Sequence, residues 1–542
     1  MTLSSAPRSH TPGHEGPSVP TGFRVPELSV LEENLARHYA VLDKIGNLGP
    51  EPNHGFLRAS WSREESRAIA HFESLCQALG LTCQYDALGN FFACTPWKAE
   101  KKIQIGSHLD TVKKGGNFDG VAGVLIGFEA IRSLVQLGPL GKNLELVIWR
   151  GEESGTFDVA FKGSKGAFGQ LSPAALEKTF QGKTLREAIE EAGFDPTLIE
   201  KKTATISQNE IDSIDAHLEF HIEQARVLES SGIVLGVGTS IRGPARSRYS
   251  VQTFDGSPLD HRIVAEIIVR LHSFVRKQND AGLDLVGTFG VVNTESAPKD
   301  SQLQHCGLSS VPGYAEIRLF PPHISRDSLR ERIEPIERTF GISTEVEYDD
   351  ESVIIRVFGQ FDHSGATPMK PGFRKNANLA ASQIILDSQE LYDVATLNFP
   401  EKSDTAVLAL DLRSDKALTL ESANEDFFRE VEDLCEREGV RVSREVLPAA
   451  SPVEELDPNL QRILQSSAAE LGFSSTPLPS GAGHDVGIVS QAKKSDLKPI
   501  PTALGLIECR DGLSHCEQEY VSSIRLAQAC QIAVLSLLKL SQ

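Results

Sequence analysis

The chain has eight cysteines in 542 residues and no Cys-x-x-Cys pair among them. Thiols scattered through so long a chain do not make a disulfide framework, so reduced thiols and a cytoplasmic location are expected. Basic residues are also short, 54 against 74 acidic, for a formal charge of −20. That balance excludes nucleic acid and anionic membrane surfaces as partners, because their phosphates would be repelled. No apolar run approaches the roughly 18–20 residues that span a bilayer. The opening stretch "MTLSSAPRSHTPGHEGPSVPTGFRV" has no apolar h-region, so it is expected to be a flexible tail over residues 1–27 and not a signal peptide. What remains, 40% hydrophobic and 24% charged, is a globular chain too long for one core.

Residues 28–240 alternate helical and strand-like patterns. "SREESRAIAHFESLCQALG" has helical spacing, "TCQYDALGNFFAC" alternates about a Leu-Gly-Asn turn, and "KIQIGSHLD" and "NLELVIWRGEES" are apolar strands flanking a helix. This predicts an α/β sheet with its site at the carboxyl ends of strands. The style changes at 241. Residues 241–350 and 351–448 each read as β-α-β-β-α-β, the second with a weak middle strand, which predicts a tandem pair of ferredoxin-like α+β lobes. From 449 to 542 the α/β style returns. The doubled unit is therefore expected as a lid inserted into a catalytic domain built from both chain ends.

Five stretches place metal-type side chains just after apolar strands: His108 and Asp110 in "GSHLDTV", Asp119 in "GGNFDG", Glu152 and Glu153 in "WRGEESG", His221 in "HLEFHIEQ", and His515 in "GLSHCEQE". Singly, each is an ordinary solvated loop. Together, in order, they suit two divalent ions that share one carboxylate. Asp119 fits the bridge: it follows a Gly-Gly and precedes a helix whose amides are expected to hold its charge. Asp110 is placed to orient the His108 ring. Adjacent carboxylates repel unless one is metal-bound, which divides their duties: Glu153 is the ligand and Glu152 the free base.

The ordered set "GSHLDTV…GGNFDG", "GEESGTF", "HIEQ", "SGAGHD" and "GLSHCEQE" resembles the hydantoinase/carbamoylase branch of the M20 metallo-amidohydrolases, and the likeness covers nearly the whole chain after the tail. That branch contains N-carbamoyl-L-amino-acid hydrolases, β-ureidopropionases and allantoate amidohydrolases. The resemblance implies one ion on His108, Asp119 and His221 and another on Asp119, Glu153 and His515. Glu152 would then be the general base, and Gln224 and Arg413 would contact a small substrate bearing a carboxylate. It also gives "FDHSGATPM" a role: His363 would stabilise the oxyanion of the tetrahedral intermediate, reached in the family from a dimer partner's lid. Zinc is the expected metal, with Mn, Co or Ni able to fill such a site.

Three departures qualify the resemblance. A whole extra lobe separates His363 from "HIEQ", and in the first lobe "FDGSPLDHRIVAE" lacks the family histidine, with His261 expected inside the following helix. A chain with two lids could therefore act alone as a pseudo-dimer, although a homodimer with an extended lid stays open. Ala225-Arg226 stands where the branch has Gly-Pro, and Asn398 is offset from the family's substrate-binding Asn. The expected activity is hydrolysis of a linear amide C–N bond in an N-carbamoyl amino acid or related ureido acid. The alternatives are a dipeptidase or N-acyl-amino-acid deacylase and, in another class, a non-catalytic metal-binding or regulatory protein.

Overall fold

The computed structural model describes the chain except residues 1–22, 50–53, 294–309, 321–323, 350, 361, 365–366, 368, 370–373, 399–402 and 448. Most of the expected tail thus lies outside the described residues. Its last part does not behave as a tail: Phe23 and Val25 pack against the catalytic core, and Pro26 O accepts a hydrogen bond from Gln531. Two helices follow, α1 (Leu28–Leu42) and α2 (Arg63–Ala78), the second capped by Ser62, whose hydroxyl accepts the Glu65 N–H. Next come β1 (Thr82–Tyr85), β2 (Phe91–Cys94), β3 (Lys102–His108), α3 (Val121–Val135), β4 (Asn143–Trp149), β5 (Ile214–Ile222) and β6 (Leu235–Ile241).

The chain then enters the lid. Its elements are β7 (Gly243–Thr253), α4 (Arg262–Asp280), β8 (Val286–Val292), β9 (Ser310–Val311), β10 (Tyr314–Phe320), α5 (Arg326–Phe340) and β11 (Ser343–Tyr348). They continue with β12 (Val353–Phe358), β13 (Asp362–His363), α6 (Ala377–Asp387), β14 (Val394–Leu397), β15 (Thr405–Ser414), α7 (Ala417–Arg437) and β16 (Val440–Leu447). Each expected β-α-β-β-α-β series is present, but the two do not fold as tandem lobes over 241–350 and 351–448. One sheet has the order β8-β15-β7-β16 and the other β11-β12-β10-β14. The outer lobe therefore joins the first half of copy one to the second half of copy two, and the inner lobe joins the remaining halves. Both keep the ferredoxin-like order.

The exchange has a local cause. Copy one ends in β11 and copy two begins in β12, and these pair as a hairpin from Ser343↔Phe358 to Tyr348↔Val353. The turn between them is tight, with Asp349 Oδ1 accepting the amides of Glu351 and Ser352. Antiparallel strands joined so closely pair with each other. This fixes the inner lobe and leaves β7 and β8 to pair with β15. One detail recurs in both series. Asn293 after β8 and Asn398 after β14 both take positive φ, 57° and 56°. Asn293 Oδ1 accepts Val407 N–H on β15, and Asn398 Oδ1 accepts Glu316 N–H on β10, each closing the ladder to the other copy's strand. The middle strand that is weak in the sequence is β14, only four residues long.

His261 is not inside α4 but is its fully buried N-cap residue, and its Nδ1 accepts the Leu397 N–H, tying the outer lobe to β14. Burial lowers its pKa to about 4 from 6.5, so the folded chain keeps the ring neutral. The unfolded chain binds this proton below pH 6.5 and the folded chain does not until about pH 4. Stability therefore falls as pH drops through that window, on the order of 3 kcal/mol for this group. In urea melts, His261→Asn, which keeps an acceptor for Leu397, should flatten the loss between pH 6.5 and 4. A residual slope from His217, pushed to about 3 by burial, should remain.

After the lid come α8 (Pro458–Glu470), β17 (Ser475–Ser480), β18 (Thr502–Ile507) and α9 (Ser523–Leu540). The catalytic sheet has the order β1-β2-β4-β3-β5-β18-β6-β17, with β4, β3, β5 and β18 mutually parallel. By length and composition α9 could cross a membrane, contrary to the expectation that no such run exists. Here it packs as a core helix with α3 and α1, burying Leu526, Ile532, Leu537 and Leu538.

Candidate active site

The four parallel strands end on the same edge of the sheet, and each delivers part of the site. His108 is the last residue of β3, Glu152 and Glu153 follow β4, His221 is next to last in β5, and His515 is in the loop after β18. Asp119 stands two residues before α3. Gly120 makes that bend with φ 67°, and a Cβ there would lie 2.4 Å from the His108 ring, so only glycine lets the ring and the loop approach.

Asp119 occupies the centre. His221 Nε2 is 2.9 Å and His108 Nε2 3.5 Å from Oδ1, while His515 Nε2 is 3.4 Å from Oδ2 and 3.3 Å from Glu153 Oε1. The ligand atoms of His108, Asp119 and His221 lie within 4.8 Å of one another, as do those of Asp119, Glu153 and His515. These are the two sets expected from the sequence. His108 Nε2 is buried and makes no hydrogen bond, an orphan that suits a metal ligand. Three imidazoles and two carboxylates sharing one Asp fit two divalent ions.

The surroundings hold these groups in place. Asp110 stands 3.3 Å from His108 Nδ1 and accepts the backbone N–H of Glu152 and of Glu153, so one carboxylate orients the ring and the acid pair together. His221 Nδ1 faces the Ile222 carbonyl at 3.0 Å, which turns Nε2 toward Asp119. The α3 amides do not cap the Asp119 carboxylate; Gln224 Nε2 donates to its Oδ2 at 2.7 Å. Burial alone would raise the Asp119 carboxyl, but His221, His108 and His515 hold it well below the usual range. Glu152 belongs to neither set. Burial, reinforced by Glu153, Asp485 and Asp110 against His108, pushes it well above the ordinary carboxylate range, as a proton carrier requires.

The lid reaches this site through β15. Arg413 is paired with Asp411 at 2.9 Å and donates from Nη1 to Gly481 O, also at 2.9 Å. Gly481 belongs to the loop carrying His484, whose ring lies 4.4 Å from that of His221. Asp411 also accepts the Ser364 hydroxyl at 2.6 Å, and Arg374 donates to the carbonyls of Ser364 and Thr367. Ser364 and Thr367 are thus tied to Asp411 and Arg374. The His363 backbone pairs with Ser310 in the β9–β13 ribbon, and its side chain lies outside the described residues. Asn398 is buried and its amide is engaged by Glu316 N–H and Asn378, which makes it a lid-structure residue.

Sequence reasoning missed two supports. Fully buried Lys162 donates to the carbonyls of Glu153, Thr156 and Val159, pinning the acid-pair loop. Glu519 accepts the amides of Phe118 and Asp119. Only the placement of Glu519 inside "GLSHCEQE" could have suggested its role. A cavity of about 430 Å³ opens beside Gln224 and His484, walled on the lid side by His272, Arg276 and Met369.

The chain is similar to known proteins over most of its length. The N-carbamoyl-L-amino acid amidohydrolase of Geobacillus stearothermophilus is 33% identical over 224 residues, 41% of this chain and 53% of that protein. That alignment spans about half the relative's length. The N-carbamoyl-L-amino-acid amidohydrolase of Rhizobium meliloti is 26% identical over 502 residues, 90% of this chain and 92% of the relative. The crystal structure of an amidase of the hydantoinase/carbamoylase family from Burkholderia multivorans shares the fold, with a TM-score of 0.64 at 18% identity over 94% of this chain and 97% of that one. Residues 104–539, which include every side chain of the two ligand sets, match the model of peptidase family M20/M25/M40, and the chain belongs to that family.

Proposed function

We propose that the chain is a two-metal hydrolase of a linear amide C–N bond, acting on an N-carbamoyl amino acid or a related ureido acid. The observation that carries this is Asp119 set between two ligand sets, with unligated Glu152 buried 3.9 Å from His108 Nε2. When bound, two divalent ions supply Lewis-acid polarisation of the carbonyl and lower the pKa of water. Glu152 takes the water proton as the oxygen bonds to the ureido carbon, then delivers it to the amino-acid nitrogen as that C–N bond breaks. The products are the free amino acid and carbamate. His221 and Gln224 in "HIEQ", and the ureido-cleaving relatives, favour this substrate over a peptide.

Asp411 and Arg413 belong to the outer lobe, attached directly to the catalytic domain, and His363 to the strand pair beside the inner lobe. In this reading the inner lobe takes the place of a partner subunit's lid, so that one chain completes its own site with His363 on the oxyanion and Arg413 on the substrate carboxylate.

Zinc-loaded protein assayed against carbamoyl amino acids, allantoate and dipeptides should release ammonia from at least one ureido compound. Cleavage of dipeptides with no ammonia from any ureido substrate would replace this reading with the dipeptidase one.

A further inference from the structure

His515 is the most exposed member of the ligand sets. It sits in a loop with left-handed backbone, φ 59°, and its side chain is 39% exposed, whereas His108 and His221 are buried at strand ends. Left-handed conformations of non-glycine residues are costly and persist only where the surroundings hold them. Glu519, four residues on and 5% exposed, supplies such a hold. Its Oε1 accepts the N–H of Phe118 at 2.8 Å and of Asp119 at 2.9 Å, so the loop bearing one ligand is bonded to the backbone of the bridging one. Gly116 leaves room for this: a Cβ there would lie 2.4 Å from Glu519 Cβ, Cδ and Oε1. Tyr520 adds an edge contact with Phe118 at 5.6 Å, and Arg510 lies over the Tyr520 ring at 3.9 Å.

We propose that Glu519 is a positioning residue that fixes the spacing of Asp119 and His515 through two backbone amides and thereby governs occupancy of the Asp119–Glu153–His515 ion. This rests on the two-metal reading above. Asp119 is common to both sets, but His515, on the Glu519 loop, belongs only to the second, so the ion of the Asp119–Glu153–His515 set should respond more strongly. Partners behind a ligand commonly carry 10–100-fold in metal affinity.

The test is zinc stoichiometry by equilibrium dialysis at buffered free Zn²⁺, with thermal melting alongside. The parent chain should hold two ions. Glu519→Ala should hold one, with the weaker ion's Kd raised at least about tenfold. Glu519→Gln keeps an oxygen acceptor and should hold two. Gly116→Ala displaces the Glu519 side chain while leaving its carboxylate in the sequence. It should lose the same single ion, which covers the case in which Glu519→Ala fails to fold. Two ions with unchanged Kd in a folded Glu519→Ala or Gly116→Ala chain, or equal weakening of both ions, would overturn the proposal. A parent chain that binds fewer than two would instead refute the two-metal reading beneath it.

Discussion

Glu152→Gln should leave a folded chain that binds as many divalent ions as the parent and turns over on the order of a thousandfold more slowly, within the range carried by a positioned general acid–base group. The expectation follows from geometry. Glu152 belongs to neither ligand set, so its replacement removes no metal bond, and the amide has nearly the carboxylate's shape. Its backbone N–H stays on Asp110 Oδ1, so the Glu153 loop keeps its place. What disappears is a group able to receive a proton from water and return it to a leaving nitrogen. If the loss lay in substrate binding, KM would rise and kcat would hold; here kcat should fall with KM little changed. The measurement is kcat with ions per chain determined on the same sample. Residual turnover within tenfold of the parent, or loss of an ion on substitution, would assign Glu152 a different role.

The metal side of the site was legible because its ligands sit at local landmarks. His108 and His221 close apolar strands, and Glu152 and Glu153 follow one, so a reading that places strands also places the ligands on one edge of a parallel sheet. The partner of Asp119 was not legible. A carboxylate before a helix suggests amide capping, yet Gln224, distant in sequence, is what bonds it, and no local pattern encodes that choice. The lid shows the same limit. Every helix and nearly every strand could be read, because periodicity is local, but the pairing could not. Both copies present interchangeable halves, and the short Asp349–Ser352 turn decides which halves meet. Lys162 and Glu519 were hidden for a related reason: Glu519 acts on the backbone of a loop 400 residues away and Lys162 on carbonyls of its own preceding loop, and backbone groups leave no letter in the sequence.

The exchanged halves bear on how many chains a site needs. In a borrowed-histidine dimer each active site takes its oxyanion group from the other subunit. Here one core includes both lobes, and α4 of the outer lobe packs on α6 of the inner. The Ser364 hydroxyl beside His363 is bonded to Asp411 of the outer lobe within the same chain. The copy-one counterpart has Gly256 in "FDGSP" where copy two has His363. One lid copy serving one catalytic domain leaves the other free to lose its histidine. His363→Ala should therefore lower kcat by about 10²–10³, the cost of removing one oxyanion donor. Mixing should not rescue it. If sites formed across a dimer, unfolding and refolding Glu152→Gln together with His363→Ala would regenerate about a quarter of the sites, each from one chain's catalytic domain and the other's lid. A self-contained chain predicts no recovery above the sum of the two variants, and a single-chain mass by light scattering. Recovery near a quarter of parent activity would mean that the inner lobe extends the lid and that the site still belongs to two chains.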